Sequence, residues 1–218
     1  MSLRVALIAE GSGDLGSSSR LNLPRATVNE ALINDELGPA HWLIRRAVAA
    51  AKGMPEDAVT FVAPLRLPTG RAPRGSDLLL RRNLARLVAY PPLTPRPDLI
   101  IVLIDEDGEA DRAANLNAAR PALPPDALLT AVAVREFEAW LISDGGALRT
   151  LDLPGPPPAN PEQTDPRAAK TWLGNATAAS LSPAFTIRCD LARLVDLSVL
   201  RKRSVSFNAL WSNLVTGS

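Results

Sequence analysis

Four short runs of apolar residues stand out along the first two thirds of the chain, with little polar alternation inside them. Uninterrupted apolar runs of this length are typical of strands that are buried on both faces of a parallel sheet. The pattern therefore predicts strands over residues 3–9, 59–63, 98–104 and 127–134.

The segments between these runs carry apolar residues at the three- and four-residue spacing of an amphipathic helix. Pro39 suits the first turn of the first helix, and Ser76 is the predicted N-cap of the second. The spacing predicts helices over residues 37–52, 76–90, 109–119 and 135–142, and three more in the tail, over 165–174, 189–201 and 206–215. Loops are predicted for residues 11–34, 65–75 and 153–166, which are polar or rich in glycine and proline.

The alternation of strands and helices predicts an α/β fold, with a mostly parallel sheet of about four strands and helices on both of its faces. Residues 1–150 are expected to form this α/β domain. Residues 151–218 are expected to form a proline-rich loop and a C-terminal helical extension packed on it.

Composition removes several classes of function. The 218 residues are 46% hydrophobic, carry a net charge of +1, and include one cysteine, Cys189, and one histidine, His41. A single cysteine excludes an internal disulfide, and one cysteine with one histidine argues against a zinc site. No apolar run approaches the ~20 residues of a membrane-spanning helix, and no signal peptide precedes the first strand, so we expect a cytoplasmic protein without membrane association.

Acidic residues follow three of the four predicted strands. Glu10 follows the first strand, Asp105 and Asp107 follow the third, and Glu136 and Glu138 follow the fourth. Right-handed crossovers place the carboxyl ends of parallel strands at one edge of the sheet, which is where α/β proteins bind ligands. We therefore expect these carboxylates to lie together, with Asp105 and Asp107 pointing the same way because side chains alternate along a strand.

Such a cluster repels itself by several kcal/mol at low effective dielectric unless a cation neutralises it. Carboxylate oxygens suit hard divalent ions, so Mg²⁺ or Mn²⁺ is the predicted cofactor. Open positions on such an ion would accept phosphate oxygens.

Three glycines directly after the first strand raise a rival interpretation. Gly11, Gly13 and Gly16 match the G-x-G-x-x-G spacing of a dinucleotide-binding loop, which requires a helix directly after it and an acidic residue after a second strand. Glu30 and Asp35 have the right distance but follow no predicted strand, and no clear helix follows Gly16. Gly11 and Gly13 are therefore interpreted as a sharp turn that leaves room for metal and phosphate. A nucleotide-binding Rossmann-like enzyme is the lesser alternative.

The order strand–Glu10–Gly11, then strand–Asp105–x–Asp107, resembles the TOPRIM domain that topoisomerases, primases and OLD-type nucleases share. The segment EFEAWL at residues 136–141 resembles a TOPRIM-related bacterial family catalogued as domain of unknown function 4276. Lys170 after the segment DPR, and the segment RKRSVSF at residues 201–207, are similar to the same family. The chain departs from the family pattern where Ser12-Gly13-Asp14 follows the glutamate, and where an insertion precedes the first long helix.

The resemblance implies a TOPRIM-like, Rossmann-like fold and metal-dependent phosphodiester chemistry. It implies that Glu10 is a metal ligand or general acid/base, and that Asp105 and Asp107 bind Mg²⁺. Glu138 would add a further metal ligand. Glu136 is a candidate ligand as well, although two residues that are two positions apart on a helix do not share a face. Members of this superfamily resemble nuclease partners of ATPases in bacterial phage defence, which implies an ATPase as a partner protein.

Basic residues supply candidate contacts with nucleic acid. Residues 58–97 hold seven arginines against one aspartate, which fits either a surface that meets phosphates or an ordinary solvated face. The candidate contacts are Arg81, Arg82, Lys170, Arg201, Lys202 and Arg203.

The predicted function is therefore an Mg²⁺-dependent nuclease acting on DNA or RNA, with Glu10, Asp105, Asp107 and Glu138 as catalytic residues. The alternative is a non-catalytic TOPRIM-fold subunit of a defence complex, and self-association into a homo-oligomer is left open. His41 is expected to be packed or at the surface rather than catalytic.

Overall fold

The computed structural model describes residues 2–10, 12–16, 30–63, 67, 73–89, 96–121, 128–154, 156–178, 180 and 182–217. Within these residues, four parallel strands form one sheet in the order β2-β1-β3-β4. The strands are β1 (Leu3–Ala9), β2 (Val59–Phe61), β3 (Leu99–Asp105) and β4 (Leu128–Ala133). They confirm the four predicted strands and the predicted α/β fold class.

The order of the strands reverses at the centre of the sheet. The chain leaves β1 for β2 on one side, and then crosses to β3 and β4 on the other. The carboxyl ends of β1 and β3, which pair side by side, therefore form the crevice where open α/β sheets bind ligands.

Helices cover both faces of the sheet. In chain order they are α1 (Ser12–Leu15), α2 (Glu30–Asp35), α3 (Pro39–Lys52), α4 (Gly75–Leu78), α5 (Arg81–Val88), α6 (Arg112–Ala119), α7 (Phe137–Leu141), α8 (Gly145–Thr150), α9 (Ala168–Ala178), α10 (Ala184–Leu194), α11 (Leu197–Arg203) and α12 (Val205–Thr216). Two 3₁₀ turns lie at Glu56–Ala58 and Pro161–Gln163. None of the helices in the described part of the chain is long and apolar enough to span a bilayer.

Alternate side chains of the central strands enter two separate hydrophobic cores. Leu7 and Ile101 belong to a core that also contains residues of α3, α7 and the C-terminal helices α9–α12. Ile8 and Val102 belong to a second core on the other face, with residues of α4, α5 and α6. The C-terminal helices thus share a core with the sheet, and the domain boundary at residue 150 stays a prediction.

The single helix predicted over residues 76–90 is wrong, because the structure has two helices, α4 and α5. The first begins before Ser76: Arg74 is its N-cap residue, and the Asp77 carboxylate accepts the Arg74 N–H at 2.8 Å. Leu80 is extended, with ψ of 112°, and starts the second helix. The N-cap of α4 is therefore Arg74 and not Ser76, as the pattern of apolar residues predicted.

The three helical pieces predicted for the tail are four helices in the structure, and α8 was not predicted. Asp196 causes the difference, since its carboxylate accepts the N–H groups of Ser198 at 2.7 Å and Val199 at 3.3 Å. This N-cap begins α11 inside the segment that was predicted as one helix over 189–201.

The loop predicted over residues 11–34 also contains helical structure. The short helix α1 begins at Ser12, and α2 occupies the end of the segment. The prediction of a loop is therefore wrong for residues 12–15 and 30–34, whereas the prediction that no clear helix follows Gly16 falls on residues outside the described ones. Gly11 and residues 17–29 lie outside the described residues, as do most residues of the loop predicted over 65–75.

Candidate active site at the carboxyl edge of the sheet

The candidate site lies where the strand order reverses. Glu10 is the residue after β1, and Asp105 is the last residue of β3. The Oε1 atom of Glu10 accepts the backbone N–H of Asp105 at 2.6 Å, which joins the two strand ends directly. Burial, partly offset by this hydrogen bond and by Arg112, raises the pKa of Glu10 above its usual value.

Arg112, at the start of α6, is the cation of this part of the site. Its Nη1 atom lies 3.2 Å from Glu10 Oε1 and 3.0 Å from Asp107 Oδ2, and it donates to the backbone oxygen of Asp105 at 2.6 Å. Its Nε atom donates to Glu109 at 3.2 Å. One guanidinium group therefore holds Glu10 and Asp107 together.

Asp107 does not share a cation with Asp105 in the way that strand alternation predicted. Its φ of +52° is left-handed, so the extended backbone of β3 has already ended there. Its side chain is 43% exposed and pairs with Arg112. Asp105 instead accepts the backbone N–H of Phe137 through Oδ1 at 2.8 Å, which places it beside the start of α7.

Among the acidic residues at the strand ends, Asp105 has the most strongly raised pKa. Burial, followed by the charges of Asp14, Glu138 and Glu10, raises its pKa to about 8. Burial likewise raises the pKa of Asp14 to about 7, although Arg188 opposes the shift. These carboxylates therefore do lie together, and their joint ionisation is unfavourable in the protein alone.

Asp14 brings α1 into the site. Arg188 of α10 binds it through Nη2, and the same Nη2 atom lies 2.9 Å from Glu138 Oε1. Glu138 is 3% exposed, and its second oxygen, Oε2, has no hydrogen-bond partner among the described residues. The Nε atom of Arg188 is buried and also lacks a partner within the described chain.

Lys170 faces the same carboxylates from α9. Burial lowers its pKa, but the charges of Glu138, Glu136 and Asp105 outweigh this effect and raise the pKa on balance. Glu136 is 1% exposed, and its Oε2 atom accepts the backbone N–H of Lys170 at 3.0 Å. Glu136 therefore fastens the start of α9, which brings Lys170 beside the site.

The glycines have different positions from those expected of a phosphate loop. Gly13 lies within α1, and Gly11 falls outside the described residues. Gly75 is the glycine that contacts the site: a Cβ atom built on it would lie 1.8 Å from Glu10 Oε2. Its backbone N–H also lowers the pKa of Glu10, although burial has the larger and opposite effect.

The segment RKRSVSF donates hydrogen bonds to the buried carboxylate of Glu162, and it also carries exposed basic residues. Glu162 Oε1 accepts hydrogen bonds from Ser204 Oγ at 2.5 Å, from Trp140 Nε1 at 3.2 Å and from Ser206 Oγ. Its Oε2 accepts the N–H groups of Val205 at 2.8 Å and Ser206 at 3.4 Å, at the first turn of α12. This network joins the proline-rich segment to α7 and α12.

The predicted nucleic-acid contacts are exposed, and contact with a phosphate stays a prediction for all of them. Arg81 and Arg82 lie in the first turn of α5. Arg201 stacks over Trp211 at 4.5 Å, Lys202 is exposed, and Arg203 donates to the backbone oxygen of Ala159.

His41 lies in the core and not at the sheet edge. It is 2% exposed, and its ring meets Phe61 edge-on with the centroids 4.6 Å apart. Burial and the nearby charge of Arg45 lower its pKa to about 3, so it stays neutral at physiological pH.

Sequence reasoning missed three residues of the site: Asp14, Arg112 and Arg188. Asp14 stands four residues after Glu10, which would place it one turn further along a helix, but the segment was predicted as a loop. Arg112 begins the helix that follows β3, seven residues after Asp105, and Arg188 comes from a helix far along the chain; no spacing rule connects either of them to the strand ends.

The carboxylates suit a hard divalent ion in chemistry but are not arranged around one. Among the described residues, no group of three acidic, histidine or cysteine side chains is placed to hold a metal ion as it stands. Arg112 and Arg188 occupy oxygens that a metal would need. Glu138 Oε2 is nevertheless buried without a hydrogen-bond partner among the described residues, and carboxylate oxygens are the ligands that such an ion prefers, so Mg²⁺ or Mn²⁺ as the cofactor stays a prediction.

Comparison with known proteins adds no relative. No protein-family model matches this chain, and no match was found among curated proteins or among solved structures. The TOPRIM resemblance therefore depends on the motifs alone and stays a prediction.

Proposed function

We propose that this chain is a TOPRIM-type phosphodiesterase that depends on Mg²⁺ or Mn²⁺ and cleaves DNA or RNA. The observation that supports the proposal most is the convergence of Glu10, Asp14, Asp105 and Glu138 at the point where the strand order reverses. Neighbouring carboxylates whose charges raise the pKa of Asp105 and Asp14 are characteristic of functional sites, because a structural site would gain nothing from the repulsion.

The residues that would hold the ion are Asp14, Asp105 and Glu138, since each offers a carboxylate in the buried part of the cluster. When bound, the ion would polarise a phosphodiester oxygen and acidify a bound water molecule. Lys170, whose positive charge already faces these carboxylates, would bind and orient the non-bridging oxygens of the phosphate.

Glu10 positions the end of β3 in this arrangement. Its carboxylate fixes the end of β3 through the Asp105 N–H and is held by Arg112. The side chain of Asp105 is thereby directed towards α7, where Phe137 N–H binds it. An ATPase partner and a role in phage defence rest on the resemblance alone and remain part of the proposal.

A cleavage assay with matched variants tests the proposal. The full chain is incubated with supercoiled plasmid and with single-stranded RNA, in Mg²⁺, in Mn²⁺ and in EDTA. We expect cleavage that needs the metal and is lost in Glu10→Ala and Asp105→Ala. Asp111→Asn is the control, because Asp111 is exposed and its side chain makes no capping hydrogen bond. Cleavage that survives both alanine substitutions refutes the catalytic assignment.

A non-catalytic subunit is the second candidate, and one observation favours it. Arg112 and Arg188 already neutralise carboxylates at the edge of the sheet, as a purely structural network would. The two candidates differ in metal binding: a structural network would not bind Mn²⁺, whereas the proposed nuclease site would. A chain that neither cleaves nucleic acid nor is stabilised by Mn²⁺ supports the non-catalytic subunit.

A further inference from the structure

The strand β4 forms one edge of the sheet. It is the last strand in the order β2-β1-β3-β4, and within the described part of the chain it pairs with β3 alone. Its sequence, LLTAVA, contains no charged residue and no proline, which are two of the devices that protect an edge strand from pairing with another chain. The composition of β4 therefore suits a strand that accepts a further strand.

The backbone groups in the middle of β4 face this edge. Peptide groups alternate between the two sides of a strand, and Ala133 faces β3, because its oxygen accepts the Glu106 N–H at 2.9 Å. Leu128, Thr130 and Val132 therefore face the opposite side. The N–H and C=O groups of Thr130 and Val132 have no hydrogen-bond partner among the described residues. They offer two donors and two acceptors to a strand that docks there.

The helices α6 and α12 flank β4 and form a groove along it. The residues that line this groove include Thr130 and Val132 of the strand, Ala113 of α6, and Ala209 of α12. The two alanines are exposed, so the helices present small side chains on either side of the strand. Val205, the first residue of α12, lines the same groove and is an apolar side chain with 79% of its surface exposed. The free peptide groups thus lie in an accessible and largely apolar surface.

Opposite charges lie at the two ends of the groove. At the amino end of β4, Arg120 Nη2 donates to the Leu128 oxygen at 2.8 Å, and the other N–H groups of this guanidinium have no partner among the described residues. At the carboxyl end, Glu106 Oε2 lies 3.5 Å from Arg135 Nη1, and Glu106 Oε1 has no partner in the described chain. An antiparallel pair of β4 strands related by a two-fold axis brings the amino end of each strand to the carboxyl end of the other. A second copy of this chain therefore supplies the complementary charge at both ends.

We propose that β4 is a self-association surface, on which a second copy of this chain docks with its own β4 antiparallel about a two-fold axis at Ala131. In this register Thr130 lies opposite Val132 of the second copy, and the two equivalent pairs exchange four backbone hydrogen bonds. The contact joins the two four-stranded sheets into one and leaves neither β4 edge free. The inference does not depend on the proposed nuclease activity, because none of the proposed catalytic carboxylates lines the groove.

Sedimentation equilibrium of the full chain, across a concentration series, tests the proposal. We expect a reversible dimer for the wild type. Val132→Lys places a charge in the middle of each paired edge and should raise the dissociation constant of the dimer by about 100-fold or more. Val215→Lys is the matched control, because Val215 is 55% exposed on α12 and lies outside the groove, so this variant should dimerise like the wild type.

A mixing experiment tests the antiparallel geometry and keeps the proposal falsifiable if Val132→Lys does not fold. Arg120→Glu and Glu106→Lys each place like charges together at both ends of the pair, so each variant alone should dimerise about tenfold more weakly or worse. A heterodimer of the two variants has opposite charges at both ends. An equimolar mixture should therefore recover the dimer that neither variant forms well alone.

Amide hydrogen exchange locates the interface. The amides of Thr130 and Val132 should exchange slowly in the wild-type dimer and quickly in monomeric Arg120→Glu. A wild type that is monomeric at every concentration, a dimer that folded Val132→Lys leaves intact, or a mixture that dimerises no better than its components would each overturn the proposal. Slow exchange of these two amides in the monomer would show that another part of the same chain covers the edge, and would overturn it as well.

Discussion

Replacing Asp105 with asparagine should make the metal-free protein more stable. Asp105 is half-buried beside Asp14, Glu138 and Glu10, and its pKa is raised from 3.8 to about 8. Asparagine is neutral, has nearly the same shape, and can still accept the Phe137 N–H that now binds Oδ1 at 2.8 Å. The substitution therefore removes a repulsion and keeps the hydrogen bond.

The size of the gain in stability and its pH dependence follow from the linkage between protonation and folding. A carboxyl group whose pKa is raised by folding costs no stability below the pKa of the unfolded chain, and its cost grows as the pH rises through the folded pKa. Each pKa unit corresponds to 1.36 kcal/mol, so a shift from 3.8 to about 8 limits the gain at pH 8 to about 5 kcal/mol. We expect about 2–5 kcal/mol at pH 8, or about 5–15 °C in melting temperature, and almost none at pH 4.

Thermal and urea unfolding in EDTA, at pH 4, 6 and 8, measure this difference. Asp111→Asn is the matched control and should change stability by less than about 0.5 kcal/mol, as exposed substitutions usually do. Mn²⁺ should raise the melting temperature of the wild type and not of Asp105→Asn. An Asp105→Asn protein that is less stable than the wild type at pH 8, or whose advantage does not grow with pH, would refute the repulsion that we infer.

Three further predictions concern residues around the site. Glu162→Gln should lower the free energy of unfolding in urea by about 3–5 kcal/mol, because an amide presents a donor to groups that now donate to a charged carboxylate. The control is Glu56→Gln, since Glu56 lies 3.8 Å from its arginine partner and its side chain is 53% exposed; this substitution should cost less than about 1 kcal/mol. Equal losses of stability in the two variants would contradict the network. Gly75→Ala should push Glu10 away, because the added Cβ would lie 1.8 Å from Oε2, and should reduce cleavage about 100-fold while the fold persists by circular dichroism; unchanged cleavage would show that the position of Glu10 is unimportant. Lys170→Gln should reduce nucleic-acid affinity and the salt dependence of binding with little change in melting temperature; an unchanged salt dependence would exclude a phosphate contact.

The sheet could be predicted from the sequence because its strands are buried on both faces. Leu7 and Ile8 enter opposite cores, so no polar alternation interrupts the run, and the same holds for β3. Parallel strands of this kind also fix which ends meet, and this is why Glu10, Asp105 and Glu138 were expected at one edge. Helix boundaries were predicted less well, because the capping hydrogen bonds of the Asp77 and Asp196 carboxylates outweigh the pattern of apolar residues.

The cations of the site could not be predicted in this way. Arg188 lies 174 residues from Asp14 in the chain, and its helix is brought there by packing of α10 against α3. Asp107 was misplaced for a different reason. The alternation of side chains along β3 ends before this residue, because the backbone of Asp107 is left-handed. Local spacing thus locates the acids at the strand ends, while the position of Arg188 depends on long-range packing.

The pairing of the buried glutamates supports the proposal that the acidic edge is a functional site. Glu162 and Glu138 are both buried glutamates, and Glu162 shows how the fold satisfies such a group when its role is structural: five donor groups meet its two oxygens. Glu138 receives one arginine on one oxygen and has no partner for the other in the described chain. Because burial without a partner destabilises the protein, we propose that a positively charged ligand completes the pairing of Glu138.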